Sequence, residues 1–255
     1  MDMREVNLML NKSFKRDGTS LSNKENLKEA YVYIANVPKD SFKKNHYYSE
    51  ILSNCEQERA RSFKFTEDRK AYITAHLLLR SALSLHFPIS PKDWVFESSL
   101  SGKPEQVNFP GKVQFNISHT RGMVCCVLSL YDSGIDVENM DSLRKINFSG
   151  SLFDIREVFS STFLPMRDKY LNAAICWTLQ ESSIKATGEG LDGIERKIFL
   201  SDLKGWKFST LLVENRYVIS VSVQEMVHLI RVICVNFNGS TQLIGLSKNI
   251  ETILN

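Results

Sequence analysis

The chain has 255 residues, enough for one large domain or two small ones with a proper core. Its 43% hydrophobic and 24% charged residues are those of an ordinary soluble globular protein, with no run near the ~18 apolar residues of a membrane span. A net charge of +3 is too mild to argue for nucleic acid, though it suits a small acidic protein partner or a polyphosphate ligand.

Residues 1–28 are polar and weakly patterned, which predicts a loosely structured leader. Their only apolar run, Val6 to Leu10, is short and interrupted by Asn7, so no signal peptide is expected. Ala30 to Ala35 reads as a strand stopped by Pro38. Tyr47 to Phe63 reads as one helix and Asp68 to Leu85 as a clearer second, with Tyr72, Leu77, Leu79 and Leu83 at helical intervals. Trp94 to Phe96 suggests a strand, and Ser101 to Pro104 a turn. Val113 to Ser118 alternates as a strand ending at His119 to Gly122. Met123 to Leu130 is apolar except at Ser129, as a central strand would be.

The adjacent Cys125 and Cys126 lie in that run. Five cysteines with no CxxC or Cys/His zinc spacing predict reduced, mostly buried thiols and a cytoplasmic setting. After a turn at Asp132 to Gly134 comes a strand, Ile135 to Glu138. Helices are expected over 151–160 and 168–187, with Pro165 between them. From Ile198 the chain is strand-rich, with turns at Lys204-Gly205 and Asn238-Gly239 and its best strands at 218–223 and 231–235. The class is α+β.

Three features carry chemistry. Leu171, Ala174, Ile175, Thr178 and Ser182 can line one inward stripe of the 168–187 helix. Glu181 and Lys185 then fall one turn apart on a neighbouring stripe, and taken alone they suggest a surface ion pair of roughly 0.3–0.5 kcal/mol. Gly188-x-Gly190-x-x-Gly193 matches a dinucleotide fingerprint, but a helix precedes it where a strand is needed, so that reading is rejected. Asp136 and Glu138, at i and i+2 on a strand, share a face with Cα atoms about 6.5 Å apart. They can converge on one hard cation or simply make an acidic wet edge. Asn116-Ile117-Ser118-His119 ends a strand in a histidine able to bind phosphate, act as a base or cap the turn.

Taken together, GKP at 102–104, NISH at 116–119, GIDVE at 134–138 and WxxxESxxKxxGxGL at 177–191 resemble the 4′-phosphopantetheinyl transferases. The similarity is to the surfactin-type, two-lobed subgroup and runs from about Tyr31 to Val223. Glu58-Arg59, Phe63, Asp68 and Arg80 also resemble that family's N-terminal lobe. The resemblance implies two similar α/β lobes in a pseudo-two-fold arrangement with the active site between them, here 29–132 and 133–255, in a monomer. It implies transfer of the phosphopantetheine arm of coenzyme A to a serine of an apo-acyl, peptidyl or aryl carrier protein, with release of 3′,5′-ADP. Non-ribosomal peptide, polyketide or siderophore synthesis is the expected setting.

By the family pattern, Asp136, Glu138 and Glu181 would hold Mg²⁺, with Mn²⁺ as a substitute. Lys185 would hold the pyrophosphate, and Lys103, Ser118 and His119 would surround the 3′-phosphate and adenine. Arg59, with Lys70 or Arg69, would add phosphate contacts. Glu157 would be the base or the partner of a metal-bound water. One position departs: Gln180 stands where the family commonly has Lys. That raises an alternative, an impaired or non-catalytic module binding coenzyme A and carrier protein. An unrelated Mg²⁺-dependent nuclease or phosphatase using the same carboxylates is a third reading.

Overall fold

Strand β1 (Glu29–Asn36) is buried at every position from Ala30 to Ala35. A strand covered on both faces reads as a continuous apolar run, as AYVYIA does. The computed structural model describes residues 28–39, 47–98, 104–110, 113–144, 168–188, 204–235 and 250–254. After β1 come α1 (Tyr47–Ile51), α2 (Asn54–Ser62), α3 (Thr66–His86) and a 3-10 turn at Pro91–Asp93. Then follow β2 (Phe96–Ser98), β3 (Pro104–Gln106), β4 (Gln114–Thr120), β5 (Met123–Ser129), β6 (Ser133–Asn139) and α4 (Met140–Leu143). The last elements are α5 (Lys169–Thr187), β7 (Trp206–Val213), β8 (Tyr217–Gln224), β9 (Leu229–Val235) and β10 (Ile250–Leu254).

Three expectations are corrected locally. The single helix expected over Tyr47–Phe63 is two helices. The Ser53 hydroxyl accepts the Glu56 N–H while the Glu56 carboxylate accepts the Ser53 N–H, a reciprocal cap that starts α2 afresh. The strand expected from Trp94 begins at Phe96, because Trp94 caps the 3-10 turn. Ser133 and Gly134, expected in a turn, already belong to β6. The helix expected over 151–160 and the leader before Lys28 lie outside the described residues.

Two four-stranded sheets, ordered β4-β5-β1-β9 and β10-β7-β8-β6, form the centre, with β2-β3 as a separate ribbon. One face of the first sheet packs Tyr31, Tyr33, Val124 and Cys126 against Ala75, Leu78, Leu79 and Leu83 of α3. Its other face packs Val32, Ile34, Cys125 and Val127 against Ile135, Val137, Ile219 and Val221 of the second sheet. α5 covers the far side of that sheet through Leu171, Ile175 and Leu179 against Val218. The layers therefore run α3, sheet, sheet, α5, a mixed α/β architecture as expected. The division expected at 132/133 falls between β5 and β6. Beyond it, β9 pairs in parallel with β1 and so supplies a strand to the first sheet. No helix among the described residues is long and apolar enough to cross a membrane.

Candidate active site

β4 and β6 are edge strands of their respective sheets and lie against each other. Polar side chains bridge them. Ile135 N–H donates to Asn116 Oδ1 at 3.4 Å, Ser118 Oγ donates to Asp136 Oδ1 at 2.8 Å, and Asn139 Nδ2 donates to the Arg121 carbonyl at 3.2 Å. Strand alternation explains the grouping: Asn116 and Ser118 share one face of β4, and Gly134, Asp136 and Glu138 one face of β6. Ile135 and Val137, on the opposite face, fill the core between the sheets.

α5 closes the site from the third side. Its stripe of Leu171, Ala174, Ile175, Thr178 and Ser182 is buried, as the spacing predicts. Thr178 and Ser182 are hydrogen-bonded to the hydroxyls of Ser220 and Ser222 of β8, each at 2.7 Å, which fixes the helix over the sheet. A Cβ on Gly134 would lie 2.0 Å from the Ser182 carbonyl oxygen, so the absent side chain is what lets α5 approach β6 this closely. The helix stops at Gly188, whose φ of 77° is left-handed.

Lys185, one turn before that stop, does not make the surface pair with Glu181. Its Nζ donates to Asp136 Oδ1 at 2.7 Å, Ser118 Oγ at 3.2 Å and the Ile135 carbonyl at 3.4 Å. Asp136 is 5% exposed, and its Oδ2 is buried without a hydrogen-bond partner. The acidic wet edge is thereby ruled out at Asp136. Burial, then the charge of Asp136, pushes Glu138 up to about 7, against a hydrogen bond from Trp177. The same two causes raise Glu181. Among the described residues, three carboxyl groups share one ammonium, which leaves them short of positive charge.

Oxygen donors in excess, one of them orphaned, are the chemistry of a hard divalent cation, and on that ground Asp136, Glu138 and Glu181 fit Mg²⁺. In this conformation no three acidic, His or Cys side chains among the described residues converge closely enough to hold a metal. The position beside Asp136 is taken by the Lys185 ammonium.

His119 lies on the opposite face of β4, towards α3. Its pKa is lowered by desolvation first and then by His76 and Lys185, against Asp68 and Asp136, even though part of the side chain meets solvent. His76 is itself held by Glu56, Nδ1 to Oε1 at 2.8 Å, while Arg80 donates to both oxygens of the same carboxylate. Burial would raise Glu56, but hydrogen bonds from His76 and Arg80 prevail and hold it at about 2.

Ser118, Asp136 and Lys185 are in direct contact, and Glu138, Glu181 and His119 lie within range of their charges. Arg59 is exposed on α2 with its guanidinium over the Phe63 ring at 5.4 Å. Lys70 is buried, and its ammonium is taken up by the Lys39 carbonyl and Glu67. Arg69 is likewise engaged, by the carbonyls of Ala60 and Phe63. Lys103 and Glu157 lie outside the described residues.

Sequence reading gave no role to Asn116, Trp177 or His76. Asn116 was detectable, since it sits at i−2 from Ser118 and so shares its face. Trp177, four residues before Glu181, was also within reach of a helical reading. His76 was not: its partner Glu56 is 20 residues away on another helix.

A family model described as "4′-phosphopantetheinyl transferase, N-terminal" matches residues 40–130. The chain is similar to the 4′-phosphopantetheinyl transferase gsp of Aneurinibacillus migulanus, 29% identical over 57% of this chain and 61% of that protein. It is similar to Sfp of Bacillus subtilis at 27% identity over 59% of this chain and 66% of Sfp. HetI of a Nostoc species is 29% identical over 56% of this chain and 62% of its own. The chain thus spans less than two thirds of the length of these curated relatives.

Proposed function

We propose that this chain, which belongs to the 4′-phosphopantetheinyl transferase family, moves the phosphopantetheine arm of coenzyme A onto a serine hydroxyl of an apo-carrier protein and releases 3′,5′-ADP. The observation that carries the reading is the contact of Ser118, Asp136 and Lys185, which stand 18, 49 and 67 residues apart in pairs and come from three separate motifs. A shared motif set would be idle if its members did not meet.

Coenzyme A brings a pyrophosphate and a 3′-phosphate, so the task is mainly alignment and charge neutralisation. Lys185, on a flexible stem, supplies a point charge to the pyrophosphate oxygens. Ser118, His119 and Lys103 take the 3′-phosphate and adenine, and Arg59 adds a cation from α2. Lys70 would have to leave Lys39 and Glu67 to join them. Asp136, Glu138 and Glu181 hold Mg²⁺ or Mn²⁺, which when bound stabilises charge on the pyrophosphate. Glu157 accepts the proton of the incoming serine, directly or through water. The site lies between two lobes of a pseudo-two-fold pair in a cytoplasmic monomer. Its carrier serves non-ribosomal peptide, polyketide or siderophore synthesis.

The purified protein, given coenzyme A, Mg²⁺ and a panel of apo-carrier proteins, should add one phosphopantetheine arm to a carrier, read by intact-mass spectrometry. Asp136→Asn should abolish the addition. Absence of transfer to every carrier, with coenzyme A bound normally, would sink the enzyme reading.

A further inference from the structure

We propose that Lys185 is a displaceable placeholder cation. Its ammonium closes the approach to Asp136, and it must swing outward before a divalent cation can bind there. The inference rests on Asp136 being a metal ligand, as proposed above.

Both carboxylate oxygens of Asp136 are closed to an incoming ion. Oδ2 is buried and faces no partner, and Oδ1 is covered by Lys185 Nζ at 2.7 Å and Ser118 Oγ at 2.8 Å. Of the covering groups, Lys185 is the one that can leave cheaply. Ser118 is buried on a paired strand, whereas the Lys185 side chain is 29% exposed against 7% for Asp136. A lysine stem is long, and its ammonium is readily solvated once it points outward.

Departure strips Asp136 of the one cation it pairs with among the described residues and leaves Ser118 and the Ile135 carbonyl without their lysine donor. Movement is therefore favoured when a divalent ion replaces the charge inside and an anionic group receives the ammonium outside. Metal and polyphosphate should then strengthen each other's binding, because each removes a cost the other would bear alone.

The test is Mn²⁺ binding to the full chain, followed by electron paramagnetic resonance of the free ion, in wild type, Lys185→Met and Asp136→Asn. Without coenzyme A, Lys185→Met should bind Mn²⁺ about tenfold or more tighter than wild type, since a competing unit charge is gone. Coenzyme A should tighten Mn²⁺ binding to wild type and lose most of that effect in Lys185→Met. If Lys185→Met binds no tighter while Asp136→Asn weakens binding, the placeholder is overturned and the metal site stands. If Asp136→Asn leaves Mn²⁺ binding unchanged, the metal reading falls and the placeholder with it.

A second measurement needs no variant. The Lys185 ammonium, held by its three acceptors, should give a slowly exchanging ¹⁵N signal that shifts or disappears on saturation with diamagnetic Mg²⁺. An unchanged signal at saturation overturns the proposal.

Discussion

Glu138 and Glu56 show how far the same residue type is driven apart by its surroundings. Burial, then the charge of Asp136, holds Glu138 at about 7, while His76 and Arg80 overcome burial to hold Glu56 at about 2. For Glu138 the folded pKa lies above the ordinary 4.5, so its contribution favours the fold at low pH. It is lost as pH rises from 4.5 to about 7. A carboxyl must be ionised to grip a hard cation, so if Glu138 is a ligand as proposed, Mg²⁺ uptake below neutrality must expel its proton. Calorimetry at about pH 6 in buffers of different ionisation enthalpy should therefore show proton release that fades towards about pH 8. Glu138→Gln should remove most of it, leaving the smaller share from Glu181. Buffer-independent heats in the wild type at the lower pH would refute the assignment. The Asp-x-Glu spacing of this pair was legible because a strand fixes which side chains share a face. Which of Asp136 and Glu138 would be buried was not, since that depends on a helix that begins 31 residues after Glu138.

At the scale of elements, the seam between α5 and β6 sets the geometry of the site. Its helix face was readable from spacing, and its stop from Gly188. The break between α1 and α2 carried a signature too, Ser53 followed three residues on by Glu56, although the charges around it read as one continuous helix. The role of Gly134 was not readable, because the reason for it lies on α5. Its Cβ would meet the Ser182 carbonyl at 2.0 Å and the Ala186 nitrogen at 2.5 Å, backbone atoms with no rotamer to give way. Gly134→Ala should force the helix off the strand and destabilise the fold by about 1–3 kcal/mol or more, as overpacking does. It should also change divalent-ion binding, because the proposed ligand Glu181 and its competitor Lys185 both ride on the displaced helix. Urea unfolding alongside Mn²⁺ titration checks both; unchanged stability would mean that α5 does not sit this close.

At the scale of the molecule, the core between the sheets decides how the protein unfolds. Apolar runs and, at β4, alternation located most strands, but the parallel pairing of β1 with β9 joins Glu29 to Leu229 in register, and no local pattern signals a partner that distant. The first sheet is completed by a late strand, and its inner face of Val32, Ile34, Cys125 and Val127 is covered by the second sheet. Baring Val32, Ile34 and Val127 alone would cost about 4.5–9 kcal/mol at 1.5–3 kcal/mol each. That is comparable to the whole net stability of an ordinary domain, about 5–15 kcal/mol, so neither sheet should survive the loss of the other. Two tryptophans report on opposite outer layers. Trp94 is buried under α3, with its indole N–H on Ser84 at 3.0 Å, and Trp177 sits on α5 beside Glu138. Variants retaining only one of them, with phenylalanine at the other tryptophan positions, should give coincident urea midpoints and equal slopes. Separate transitions would show that each sheet and its helix fold alone, and that the shared core contributes far less than its buried area implies.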